Sequence, residues 1–331
     1  MALFSSKKKT YAQRNPAAAG QYAMLTPAQK QILDDFSYRE HKNLKAIDRS
    51  AMQRIAEVYV IRKAMGMSEK QIKLDVQRLY AAAVRTLQHS EITTNVSAKL
   101  FTTDDFYNGD EVKTMWTVKT GKPHNYNLTR QAVEERAFGF KIDWNVPIRE
   151  AAMTRPVYAG LNFTRHPYGA AAAYGSVVLV FKPQVLLRST FIHTDTFDQS
   201  LKFAKADETE LELQRNKICT YAQMGTLIVN MSENQLTALM QATEGKYLVT
   251  EHPPSYVEAH ILGGVRWSRD LAEIRVALTQ TQTGQSTLDR EAGAAKRSLA
   301  TMKYLISEFA KKHGVPAKIY HLHQIVEVLN A

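Results

Sequence analysis

The chain has 331 residues, 44% hydrophobic and 9% aromatic, which supplies apolar mass for a sizeable core and excludes a disordered protein. Its 43 basic and 32 acidic residues leave a net charge of +11, a balance that draws phosphates and acidic protein faces to the surface. No window of about eighteen residues is apolar throughout, so no transmembrane helix is expected, and a single cysteine, Cys219, excludes an intramolecular disulfide and suits a reducing compartment.

Residues 1–24 are rich in Ala, Ser, Lys and Gln without a period, and a disordered tail is expected there. Lys7, Lys8 and Lys9 are followed by no apolar stretch, unlike a Sec-type signal peptide. The expected location is cytoplasmic, or the cytosol of a target cell reached without a Sec signal. Thr26 and Pro27 are a capping residue and a first-turn proline, predicting a helix to about Glu40. A second helix is expected over 43–65, stopped by Gly66. Ser68 and Gln71 form a capping box for a third, with Ile72, Val76, Leu79, Ala83, Val84 and Leu87 on one face. Residues 25–90 therefore read as a helical subdomain, either a packing layer for the body or an arm for a partner.

From Glu91 the pattern turns to β. Strands are expected over 92–96 and 114–118, then a helix over 129–138 ending at Gly139. Residues 157–163 and 176–181 read as neighbouring core strands joined by a loop of small residues, and 189–193 as a third strand. A charged helix over 207–216, a strand over 225–229 and a capped helix over 232–243 follow. Strands over 256–262 and 274–278 flank a helical turn at 268–271. After a polar loop over 279–286, residues 288–313 read as one long helix closed by Gly314 and Pro316. Residues 318–329 fit a strand or a short helix. The expected fold class is α+β: an N-terminal helical subdomain, then a mixed, mainly antiparallel β core over 91–331 with peripheral helices and the long C-terminal helix.

Three segments carry candidate chemistry. The loop after the 157–163 strand holds Arg165, a planar permanent cation suited to phosphate, and His166, which titrates near neutrality; the alternative is an ordinary hairpin with exposed charge. In the late strand, alternation puts Glu258 and His260 on one face, where carboxylate and imidazole can serve one reacting centre, against a strand with one solvated face. Residues 188–196 alternate hydroxyl and apolar side chains, with Ser189, Thr190, Asp195 and Thr196 as ligand contacts or strand-end turns. Cys219 sits in an apolar run and reads as a buried structural thiol. No P-loop, dinucleotide glycine fingerprint or nucleophile elbow is present. Nor is there a His-Glu-x-x-His helix, and His321 with His323 is a weak basis for a metal site.

The patches at 116–121, 135–139, 155–162, 174–182, 190–195 and 256–264, in this order, resemble an uncharacterised bacterial domain family over about residues 90–278. More loosely, the order resembles ADP-ribosyltransferase-like toxins and effectors. That resemblance implies an NAD-consuming enzyme that modifies a protein substrate. It implies Glu258 as catalytic carboxylate with His260 beside it, Arg165 or Arg155 on the pyrophosphate, and Tyr174 or Trp116 stacked on nicotinamide. His166 and Ser176 complete the expected cofactor-binding set. His260 stands where arginine-specific members carry a second glutamate, which argues against arginine as acceptor. The competing reading is a non-enzymatic basic scaffold that engages an acidic partner. Nucleic acid ranks below both, because no aromatic and basic recognition motif accompanies the charge.

Overall fold

The computed structural model describes residues 8–60, 65–112, 124–140, 154–197, 203, 205–246, 256–278, 286–322 and 324–329. Expected features at 114–118, Trp116, the turn at Gly121, most of the polar loop at 279–286 and His323 lie outside these residues. The fold is α+β.

Among the described residues, nine strands form one sheet in the order β5-β4-β6-β2-β1-β3-β7-β8-β9. They are β1 (Glu91–Val96), β2 (Val157–Asn162), β3 (Val177–Phe181), β4 (Ser189–Ile192), β5 (Cys219–Thr220), β6 (Glu258–Ile261), β7 (Leu271–Ala277), β8 (Ala317–His321) and β9 (Gln324–Val328). All neighbours pair antiparallel except β7 and β8. That parallel step needs a crossover, which α7 (Thr287–Ala294) and α8 (Leu299–His313) supply. The remaining main helices are α1 (Pro27–Ile55), α2 (Glu69–Gln88), α3 (His124–Phe138), α4 (Glu208–Arg215), α5 (Gly225–Asn230) and α6 (Glu233–Thr243).

The helices start where capping chemistry is available. Thr26 accepts from the Gln29 amide at 3.3 Å while Gln29 reaches back to the Thr26 amide at 3.1 Å. Ser232 and Gln235 form the same box at α6, while Ser68, Asp207, Ser286 and Ser298 cap α2, α4, α7 and α8 by accepting the amide three residues on, without the reciprocal bond expected for Gln71. The strongly apolar β3 is buried at every position, as a central strand covered on both faces must be.

Several expectations are corrected. Residues 8–24 are not a disordered tail: Thr10 and Gln13 form a capping box for the turn Tyr11–Arg14, and Tyr11 is fully buried. The helices expected over 27–40 and 43–65 are one, α1, running on into a π-helical segment at Ala56–Val60. The strands at 157–163 and 176–181 are not neighbours, because β1 lies between them. Their long connection crosses β1 and is tied to it, the Asn95 amide donating to Tyr168 O at 2.9 Å and Thr93 Oγ1 accepting from the Ala170 amide at 2.9 Å. The apolar run at 225–229 is helix α5, not a strand. The long helix over 288–313 is α7 and α8. Of the two alternatives for 318–329 the strand is found, as the antiparallel pair β8 and β9.

Two apolar clusters result. The larger joins the inward faces of the sheet to α1, α2, α5, α6 and α8, through residues such as Ile55, Leu87, Leu179, Leu227 and Phe309. The smaller joins Tyr11, Leu33 and Phe36 to Phe138, Ile192 and Leu262. Cys219 is a buried free thiol in the larger cluster, pushed up by burial and by nearby Glu40. No helix among the described residues is long and apolar enough to cross a membrane.

Candidate active site

Strand β6 divides its side chains between the two clusters. Ala259 and Ile261 enter the larger core, so the period of two turns Glu258 and His260 to the opposite face. Helix α3 covers that face, its Phe138 ring meeting the His260 ring edge-on at 4.7 Å. Tyr158 on β2 and Thr190 on β4 stand directly opposite His260, forming a cross-strand row.

Glu258 and His260 are 2% and 0% exposed, so each needs partners in place of water. His260 Nε2 donates to Glu258 Oε1 at 2.7 Å, and its Nδ1 lies 3.1 Å from the Thr190 hydroxyl. The Thr196 hydroxyl and amide donate to the same glutamate oxygen at 2.6 and 3.1 Å. The Thr196 hydroxyl in turn accepts from Arg130 Nη1 of α3 at 3.2 Å. Arg130 lies between two rings, its guanidinium carbon 4.0 Å from the Tyr158 centroid and 3.6 Å from that of Phe197. One turn along α3, Glu134 accepts from Arg155 Nη1 at 2.9 Å and from the Tyr158 hydroxyl at 3.1 Å.

Local sequence explains this assembly. Asp195 Oδ1 accepts from the Phe197 amide at 2.7 Å, a side-chain turn after β4 that leaves the Thr196 amide free to face Glu258. Gly160 lies opposite Glu258 on β2. A Cβ there would fall 2.5 Å from the Ala170 Cβ and 3.2 Å from the Tyr256 ring, so a side chain at this position would force the 166–175 connection away from β2.

The electrostatics separate two carboxylates. Burial pushes Glu258 upward, but the hydrogen bond and charge of His260, then Arg130 and Thr196, outweigh it and hold the carboxyl below the usual range. Asp195, half-buried beside it, is raised by burial first and then by the charge of Glu258. Burial and the charge of Glu134 keep the Tyr158 phenol protonated, and burial with the charges of Glu258 and Asp195 does so for Tyr256. The site thus presents a buried carboxylate held below its usual range, a neighbour shifted the opposite way, and a guanidinium joined to the first through the Thr196 hydroxyl. Titratable groups pushed apart in this way are a common feature of acid and base sites.

Of the residues singled out from sequence, Glu258 and His260 are in contact, with Thr190, Asp195 and Thr196 around them. Tyr174 sits at the margin, 62% exposed with its ring 6.4 Å from Tyr256. Arg155 is drawn into the ion pair with Glu134 and is 2% exposed. Arg165, His166 and Ser176 are not brought to Glu258. Arg165 is exposed past the end of β2 and donates to His89 O at 3.3 Å. His166 is buried in the same loop, its Nδ1 accepting from the Tyr168 amide at 3.2 Å. Ser176 donates to Glu291 of α7 at 2.6 Å. Arg130 and Glu134 went unnoticed in the sequence, although their spacing of four on a helix bearing Val133 and Ala137 marks a buried polar pair. Among the described residues no group of three His, Cys, Asp or Glu side chains is arranged to hold a metal ion.

Residues 126–293 match the family described as "Protein of unknown function (DUF3626)". The chain belongs to that family. The matched segment contains every residue of the Glu258 cluster, from Arg130 to His260, and supports the expected uncharacterised family over a span shifted toward the C-terminus. No curated protein matches the chain.

Proposed function

We propose that this DUF3626 protein is an ADP-ribosyltransferase-like enzyme that consumes NAD and modifies a protein, with Glu258 as its catalytic carboxylate. The observation that carries the reading is the ionised, buried Glu258 fixed by His260 and Thr196, with the Thr196 hydroxyl joining it to a guanidinium that lies over the Tyr158 and Phe197 rings. Loss of nicotinamide from an N-ribosyl bond builds positive charge at the sugar. A preorganised carboxylate in a dry site stabilises such charge far better than one in water. His260 acts as a positioning residue, donating to Glu258 and anchored by Thr190 on the next strand. The rings of Tyr158 and Phe197, already spaced around a flat cation, fit a nicotinamide ring. Tyr174, exposed beside Tyr256, is the aromatic residue of the expected stacking pair that lies at the margin of the site. The pyrophosphate contact moves away from Arg165 and Arg155, the first remote and the second neutralised by Glu134.

The test is nicotinamide release from NAD by the purified protein, alone and with a cell lysate supplying acceptor proteins. Glu258→Gln is expected to lower the rate by about a hundredfold or more. Equal release from that variant overturns the assignment of Glu258. No release from the wild-type protein, together with a salt-sensitive complex with an acidic protein, favours the scaffold reading instead.

A further inference from the structure

We propose that the outer face of the α1–α2 pair binds the phosphate backbone of a nucleic-acid duplex, without regard to base sequence. The two helices lie side by side over the larger core, which Ala51 and Ile55 of α1 and Val76, Ala83 and Leu87 of α2 enter. Between them the Tyr80 hydroxyl of α2 donates to Asp48 of α1 at 2.5 Å. With those positions turned inward, the helical period carries Lys42, Lys45 and Arg49 of α1 and Lys70, Lys73 and Arg85 of α2 away from the sheet. All of them are exposed. The trios are far apart in the chain, and only the fold makes them one surface.

The carboxylates of these helices are mostly withdrawn from that face. Asp48 is spent on Tyr80, Glu40 on Thr220, and Asp75 lies 3.6 Å from Arg78. Glu57 and Glu69 stay exposed, both at the end where α1 gives way to α2. Among the described residues none of the six cations makes an ion pair. Arg39, just ahead of them on α1, is instead paired with Glu212 at 2.7 Å, and Lys246 with Glu244 at 2.9 Å.

Cations left without partners on a rigid surface keep their field, and each that meets a phosphate releases a condensed counterion. At about 1.5 Å per residue the face runs roughly 22 Å from Lys70 to Arg85, with the two rows about 8–10 Å apart. A small anion would use one or two of these charges, whereas a phosphate polymer meets them all. A single strand would need aromatic faces for its bases, but Tyr80 is bonded to Asp48 and Tyr38 is covered by Lys8 at 4.2 Å. A bilayer takes a continuous apolar face, and here only Leu44 and Leu74 are large, apolar and exposed. An acidic protein must match the cations one carboxylate at a time, while a duplex offers phosphate in any register. Because Glu258 faces away from the larger core that α1 and α2 cover, the proposal does not depend on the transferase reading.

The test follows the fluorescence anisotropy of a labelled DNA duplex, long enough to span the face, on titration with the full-length protein at several salt concentrations. Affinity is expected to fall steeply with salt and to survive a change of base sequence. Lys45→Glu/Lys73→Glu should weaken binding by about tenfold or more at low salt and flatten the logarithmic salt slope by about 2. Arg290→Glu/Arg297→Glu removes the same charge at exposed positions of α7 and the turn after it, and should keep affinity within about twofold. Lys45→Gln/Lys73→Gln serves if the charge reversal unfolds the helices. No binding by the wild-type protein overturns the proposal. An equal loss in both charge-reversed variants does so as well, since net charge and not this face would then be responsible. Tighter binding to a single strand of the same length, to polyglutamate or to vesicles containing phosphatidylserine also overturns it, in favour of unpaired bases, an acidic protein or a lipid surface.

Discussion

Thr196 joins the two opposite charges of the site through one hydroxyl, which donates to Glu258 and accepts from Arg130. Thr196→Val preserves shape but leaves a buried carboxylate and a buried guanidinium each short of one partner. The expected loss is about 1 to 3 kcal/mol of stability, read from urea unfolding, with Thr196→Ser restoring most of it. A second residue links the site's flank to pH. Glu40 of α1 accepts from the Thr220 hydroxyl at 2.7 Å and from its amide at 2.6 Å, and burial pushes its carboxyl up to about 8. Those hydrogen bonds and the charge of Arg14 oppose the shift without cancelling it. Because the folded state holds this proton more tightly than the unfolded chain, its contribution is complete below the ordinary carboxylate range. It is lost as pH rises toward about 8. Glu40→Gln should therefore flatten the fall in melting temperature between pH 5 and 9, and an unchanged slope would refute the assignment.

At the scale of elements, the clearest departure from sequence pattern lies between α7 and α8. Apolar period and helix formers continue through residues 288–313, yet the chain turns at Lys296, whose φ is +54°. The turn closes by bonds from the Lys296 amide to Gly293 O and the Arg297 amide to Ala292 O, and Ser298 caps the next helix. A lysine in the left-handed region hides a stop that glycine would announce. Lys296→Gly should stabilise the protein by about 1 kcal/mol, measured by urea denaturation, and a destabilisation would mean the lysine side chain has a compensating contact. Helix α5 misleads for the opposite reason. Gly225, Thr226, Leu227 and Ile228 are all buried, and a short run apolar on all sides carries no period by which helix and strand differ. The order of β1, β2 and β3 was likewise illegible, because small residues at 166–175 say that a loop is close to backbone but not which strand it crosses. What could be read was the alternation of β6, which put Glu258 beside His260. Arg165, His166 and Ser176 looked functional only through residue type; the partners of Arg165 and Ser176, His89 and Glu291, are distant in sequence, and His166 is spent on the Tyr168 amide of its own loop.

Over the whole molecule, the site depends on a segment far from it in sequence. Tyr11, with no exposed surface, shares the smaller apolar cluster with Phe36, Phe138, Ile192 and Leu262. Phe138 is the residue of α3 that meets His260, and Ile192 faces Glu258 across β4 and β6. The N-terminal turns also reach the sheet by a polar route, Gln21 accepting from Arg188 Nε at 2.9 Å while Arg188 pairs with Asp270 at 2.8 Å. Residues 8–24 therefore close the cluster on which α3 rests, and α3 carries Arg130 and Glu134. Tyr11→Ala should cost about 3 to 5 kcal/mol, as for other aromatic residues truncated in a core. The effect should extend beyond stability. With α3 less firmly seated, amide hydrogen exchange across 128–138 should accelerate at denaturant concentrations where the larger core stays protected. Equal protection of α3 in wild type and variant would separate the N-terminal turns from the site and leave them as cover for α1 alone.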